Sequence, residues 1–132
     1  MRQFPDLVNH IVDMVFVSDM EARIVYVNDA VINNNGFSRE ELLGKSLSTI
    51  ETKITEASFR KFWSKAALGT SRTINGQHYY RDCDPVPVEI HSVLIEDGGE
   101  RLVVSTVRDI TQRKRDEKLL EEKNLQLQAL VN

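Results

Sequence analysis

The chain has 132 residues, of which 41% are hydrophobic and 28% charged, and its formal net charge is −3. That balance suits one globular domain with a small appendage and lacks the basic excess of a nucleic-acid footprint. No apolar run approaches the ~18 residues of a bilayer span, and the opening MRQFPDLVNH has no apolar stretch of signal-peptide type. A cytoplasmic location with no membrane contact from this segment is the expectation. One cysteine, Cys83, allows neither an internal disulfide nor a multi-thiolate site. His10, His78 and His91 are scattered without ligand spacing, so no metal site is expected.

In chain order, Leu7, Val8, Ile11 and Val12 recur at helical spacing and predict a short leading helix over residues 6–12. MVFVSD (14–19) and RIVYVN (23–28) read as strands joined by a hairpin-length connection. Asn28 reads as the N-cap of DAVINNN, with Gly36 as its left-handed stop. Ser38 to Glu41 has the spacing of a capping box, and Gly44 closes that short helix. EASFRKFWSKAAL (56–68) predicts the longest helix of the domain, with Phe59, Phe62, Trp63, Ala66 and Ala67 on one side and Gly69 at its end.

The second half is β-rich. Residues 70–81 lean to strand, with Asn75-Gly76 placed to break it by a bulge or turn. Residues 82–84 read as a turn, 85–95 as a strand and Asp97-Gly98-Gly99 as a hairpin turn. Residues 101–110 form the last strand. Two strands, several short helices and three strands predict an α+β domain: one antiparallel sheet with helices on one face.

The end of the chain changes character. Asp109 is placed to cap a helix from Ile110, with Gln112 completing the box. Leu120 and Leu127 stand seven apart, and Glu117, Asn124 and Val131 form a companion column. This is the stagger of a coiled-coil seam, in which Asn124 would set register and a two-stranded state. Two heptads are marginal alone. The alternative is a solvated helix folded back on its own domain; the narrow seam and charged flanks favour pairing between chains. The basic triplet Arg113-Lys114-Arg115 reads as a solvated face, since acids follow it. With no Gly/Ser linker after the last strand, the joint is expected to be stiff.

Several stretches resemble the PAS sensory domain. VYVNDAVINNNGFSREELLGKS (25–46) is similar to the family's asparagine-led helix, glycine-aromatic pair and Ser-x-x-Glu-Leu-x-Gly-Lys segment. RDCDPVPVEIHSVLI (81–95) resembles its turn and Pro-x-x-x-Glu strand. VVSTVRDITQRK (103–114) resembles its closing strand and Asp-Ile-Thr signature, here Asp109, Ile110 and Thr111. The resemblance implies a five-stranded antiparallel sheet with the order ββααααβββ, short helices over one face, often a small cavity, dimerisation, and a helical linker to an effector. It divides the chain into a sensory domain over residues 1–111, with residues 1–13 as a leading helical segment, and the start of a signalling helix over 112–132. Two departures stand out. The first hairpin lacks its usual glycine, and Cys83 stands where the later turn normally has one; Cys83 reads as an incidental surface thiol.

The same resemblance bears on ligands. Relatives that bind flavin covalently carry a cysteine in the middle helical region; residues 28–68 have none, which excludes that chemistry. A c-type haem is excluded by the missing Cys-x-x-Cys-His. The absent Trp-x-Gly-Glu argues against FAD, and the histidine-free long helix argues against b-type haem. The family position matching Asn34 commonly faces the interior. A buried amide there would need a polar ligand or water; alternatively, the helix turns all three asparagines to solvent. Any ligand is expected to meet Asn34, Phe59, Trp63, Ile90 and Val104. The relay is expected to run through Asp109, Thr111, Leu120, Asn124 and Leu127.

The expected function is a sensory and dimerisation module, a homodimer coupled to an effector in the same polypeptide beyond Asn132. The tail LQLQALVN resembles the linker that often precedes a diguanylate cyclase domain, and next the helices that lead into histidine kinases. The competing reading is a protein-interaction module with a collapsed, ligand-free core. Catalysis by this piece is not expected: no Gly-x-Ser-x-Gly elbow, His-Glu-x-x-His or P-loop is present.

Overall fold

A computed structural model describes residues 13–81 and 84–131. The leading helix expected over 6–12, residue 82 and Cys83 lie outside the described residues.

Strand β1 (Met14–Asp19) pairs antiparallel with β2 (Ile24–Val27), and the register shifts between Val17 and Ser18. Asp19 builds the connecting turn. Its Oδ1 accepts from Glu21 N and Arg23 N, each at 2.9 Å. Ala22 then takes φ 64°, the left-handed conformation that glycine adopts freely and alanine does not. Its methyl is buried in a cluster with Phe59, Trp63, Leu94 and Val103.

The helical layer is set by local chemistry. Asn28 Oδ1 accepts from Val31 N at 3.3 Å, capping α1 (Asp29–Asn35) as its sequence position predicts. Gly36 ends α1 at φ 78°. The Ser38–Glu41 box forms in full at α2 (Arg39–Leu42), and a 3₁₀ turn follows at Leu47–Thr49. Helix α3 (Glu56–Trp63) stops five residues short of the expected end at 68. The chain leaves it in a turn in which Ala66 N donates to Trp63 O, and Gly69 N then docks on Leu94 O at 2.8 Å. Sheet contact ends this helix where local propensity would have extended it.

Strands β3 (Ser71–His78), β4 (Val86–Asp97) and β5 (Glu100–Asp109) complete a sheet of order β2-β1-β5-β4-β3, with every neighbour antiparallel. Gly98 and Gly99 turn β4 into β5 with φ of 60° and 80°, the mirror-image turn that matches strand twist. The five-stranded α+β architecture is the expected one. Asn75-Gly76 makes no break: β3 pairs with β4 from Ser71 to His78 without interruption. Met14, Phe16, Val88, Ile90 and Val107 of the sheet pack against Val31, Leu42 and Ile50 of the helical layer.

Helix α4 (Thr111–Val131) begins one residue after β5. Asp109 Oδ1 accepts from Thr111 N at 2.8 Å and from Thr111 Oγ1 at 2.5 Å. The expected box from Ile110 with Gln112 does not form. Ile110 is still held to the sheet, buried, with its N–H on Pro87 O at 3.0 Å, and Gln112 turns away to Asp116. None of α4 is buried, which overturns the reading of a helix folded back on its own domain.

Candidate functional site

Between the inner face of the sheet and the helical layer lies a cavity of about 50 Å³. The two-residue period of a strand aims Arg72, Ile74, Gly76 and His78 of β3 at this layer. Arg72, Ile74 and His78 line the cavity, joined by Ile90 and Ser92 of β4, Ser105 and Val107 of β5, and Phe59 and Trp63 of α3. Phe59 and Trp63 are four apart, so one helix face carries both.

One end of the cavity is polar. Glu51, in the loop after the 3₁₀ turn, sets Oε2 3.0 Å from His78 Nε2, and both side chains are buried. Its Oε1 accepts from Lys53 N at 2.8 Å and Gln77 N at 3.3 Å. Burial pushes the Glu51 carboxyl up, but the His78 contact and the two backbone N–H groups outweigh it and hold the group below the ordinary carboxylate value. Gly76 makes room for this arrangement, since a Cβ there would stand 2.6 Å from Glu51 Oε2. That is why a glycine sits inside an unbroken strand.

At the other end, the Arg72 guanidinium lies 3.8 Å from the Phe62 ring centre and 5.4 Å from that of Trp63. Burial alone lowers its pKa. At the helical side, the Ser46 hydroxyl donates to Glu56 Oε1; this is the main reason the Glu56 carboxyl stays below its ordinary value.

Of the residues expected to meet a ligand, Phe59, Trp63 and Ile90 line the cavity. Val104 does not. Strand alternation turns Val103, Ser105 and Val107 toward the helices and Val104 to the opposite face, in register with Val17 and Val93. Asn34 does not either: it is exposed, and its amide donates back to Ala30 O at 2.6 Å. The buried amide is Asn35, one residue on, and neither of its amide atoms has a hydrogen-bond partner. One residue is about 100° of helix rotation, enough to exchange inside for outside. Of the expected relay residues, Asp109 and Thr111 meet at the joint, while Leu120, Asn124 and Leu127 are all exposed along α4.

Sequence reasoning passed over Arg72, Ser92, Ser105 and Glu51, and set His78 aside as a scattered histidine, whereas it is buried in the cavity wall. The alternation in RTINGQH could have placed Arg72 and His78 on one face with Ile74. Nothing local marks Glu51. Among the described residues no three His, Cys, Asp or Glu side chains gather as a metal site, and no helix is long and apolar enough to cross a membrane.

Comparison with known proteins agrees with this architecture. The PAS domain family model matches residues 12–112. The methyl sulfide methyltransferase-associated sensor of Methanosarcina acetivorans is 28% identical over 98% of this chain, which spans 13% of that protein's length. Among solved structures, the PAS domain of an HTR-like protein from Haloarcula marismortui superposes with a TM-score of 0.75 at 24% identity, covering 81% of this chain and 88% of that one. A PAS domain from a two-component sensor histidine kinase gives 0.68 at 24% identity, with 79% and 90% covered. With its sheet order, its helical layer and this match over most of its length, the chain belongs to the PAS domain family, the sensory domains found in signalling proteins such as sensors and histidine kinases.

Proposed function

We propose that this chain is a sensory and dimerisation module that relays the state of its core through α4 to an effector in the same polypeptide. One observation carries the reading. Helix α4 is pinned at its start, by Ile110 N on Pro87 O and by Arg113 on Glu89 at 3.3 Å, and then runs 21 residues without burying one. Leu119, Leu120, Leu125 and Leu127 are each more than half exposed. An apolar seam that its own domain leaves bare is what a second helix would cover, with Asn124 holding register. A rod bonded to the central sheet passes displacement on; a flexible linker would dissipate it. The proposed boundary between domain and relay lies at residues 111–112. By the tail's resemblance the effector is a diguanylate cyclase, with a histidine kinase next.

Light scattering on the 132-residue chain and on a truncation after Gln112 tests this. A dimer that becomes a monomer on truncation is the expected result. Two monomers, or two dimers, would remove α4 from the interface and the relay with it. The small cavity favours a second reading, a protein-interaction module without a ligand. Native mass spectrometry of freshly purified protein separates the two.

A further inference from the structure

The register across β3, β4 and β5 sets Arg72 opposite Ser92 and Ser92 opposite Ser105. This polar row crosses the inner face of the sheet and lines the cavity. The neighbouring row, Ile74 opposite Ile90 opposite Val107, is apolar and lines the same space. Directly opposed side chains stand ~4.5–5.5 Å apart at Cβ, so the three polar groups can reach one small molecule.

The row holds donors that its own bonds do not use. Ser92 and Ser105 share one hydrogen bond of 2.7 Å. Two hydroxyls carry two protons, and one bond between them uses one. Arg72 Nε is buried with no hydrogen-bond partner, and no described carboxylate lies within ion-pair distance of this guanidinium. The Phe62 and Trp63 rings face the cation but do not neutralise it. The two lining carboxylates are engaged elsewhere. Glu56 is held by Ser46 and Arg60. Glu51 lies against Gly76 and His78, four to six residues or roughly 13–20 Å along β3 from Arg72.

A positive charge and a spare hydroxyl proton on one row, with no carboxylate paired to either, complement an anion. The size follows from the volume. One water needs ~10–15 Å³ on this measure, so the cavity of about 50 Å³ takes on the order of three to five non-hydrogen atoms. The apolar row asks that part of them be hydrocarbon.

We propose that this cavity binds a short-chain monocarboxylate of acetate-to-propionate size, its carboxylate on Arg72, Ser92 and Ser105 and its alkyl end on Ile74 and Ile90. The proposal rests on the sensory reading and names its ligand class. Its test does not involve α4, so either can fail alone.

The 132-residue chain is titrated with acetate and propionate, and with propionamide and phosphate as counter-probes, at constant ionic strength. Thermal midpoint and calorimetry are the readouts. Propionate should raise the midpoint saturably, and propionamide, which has the shape without the charge, should bind at least about tenfold more weakly. Arg72→Gln should abolish the propionate effect, and Ser92→Ala with Ser105→Ala should weaken binding severalfold. No saturable shift with any carboxylate up to roughly 50 mM, where even millimolar affinity would register, would overturn the proposal. So would equal binding of propionamide, or tighter binding of phosphate. The wild-type comparison of acid and amide decides even if Arg72→Gln does not fold.

Discussion

Glu51 and His78 clip the helical layer to the edge of the sheet. Their side chains meet at 3.0 Å, and on either side the backbones pair, Thr52 N to Gln77 O and Tyr79 N to Ile50 O, each at 2.9 Å. Strand β3 is the sheet's outer strand on that side, so this loop covers part of an edge that would otherwise offer unpaired groups.

The clip should make stability depend on acid. The folded state holds the Glu51 carboxyl below its ordinary value of 4.5. A lowered folded pKa contributes stability that is whole above the unfolded value and is lost as pH falls through the folded one. Urea midpoints measured from about pH 7 to about pH 3 should therefore fall below the ordinary carboxylate value, and Glu51→Gln should flatten that fall. At neutral pH the same substitution is expected to cost about 1–3 kcal/mol. A variant whose midpoints run parallel to the wild type would show that the acid sensitivity lies elsewhere.

Gly76→Ala should destabilise the protein by way of Glu51. The new Cβ would meet Oε2 at 2.6 Å and Oε1 at 3.0 Å, and the carboxylate can retreat only by giving up Lys53 N, Gln77 N and His78. A loss of about 1–3 kcal/mol is expected. In a Glu51→Ala background most of that cost should vanish, a coupling that a double-mutant cycle reads directly. Additive costs would contradict the steric account.

Asn28 holds three elements at once. Its side chain accepts from Val15 N at 3.0 Å and from Val31 N, and donates to Asp13 O at 3.0 Å. Asn28→Ala removes a helix cap and also leaves a buried β1 amide unpaired. The loss should exceed that of a simple cap, about 2–4 kcal/mol in chemical denaturation. Ser38→Ala, whose cap is exposed, should lose only about 1 kcal/mol.

At the joint, burial should outweigh charge. Ile110 is buried, and Ile110→Ala should cost about 2–5 kcal/mol. The Arg113–Glu89 pair is substantially exposed, so Arg113→Ala should change stability by less than about 1 kcal/mol. Hydrogen exchange of the first turn of α4 is the finer measurement: Ile110→Ala should speed it, and Arg113→Ala should do so only slightly. The reverse order would mean that the ion pair holds the helix to the sheet.

The features read correctly from residue order share a short range. Asn28 caps a helix three residues away, Ser38 and Glu41 close a box within one turn, and Gly98-Gly99 reverses the chain on the spot. The β-rich run of β1 and the charged, leucine-spaced tail likewise declare themselves to their neighbours, and the five strands fell where such patterns placed them. Distant contacts decided the rest. Helix α3 ends at Trp63 because Gly69 bonds Leu94, and Gly76 stays within a strand because Glu51, twenty-five residues earlier, occupies the space of its Cβ. Asn35 rather than Asn34 is buried because packing against the sheet sets the rotation of α1, and three polar residues do not announce it. Arg72, Ser92 and Ser105 form a row only once three strands take their register. Hydrogen bonds between near neighbours leave a mark in local order; shared volume and strand register come into being only when remote segments meet.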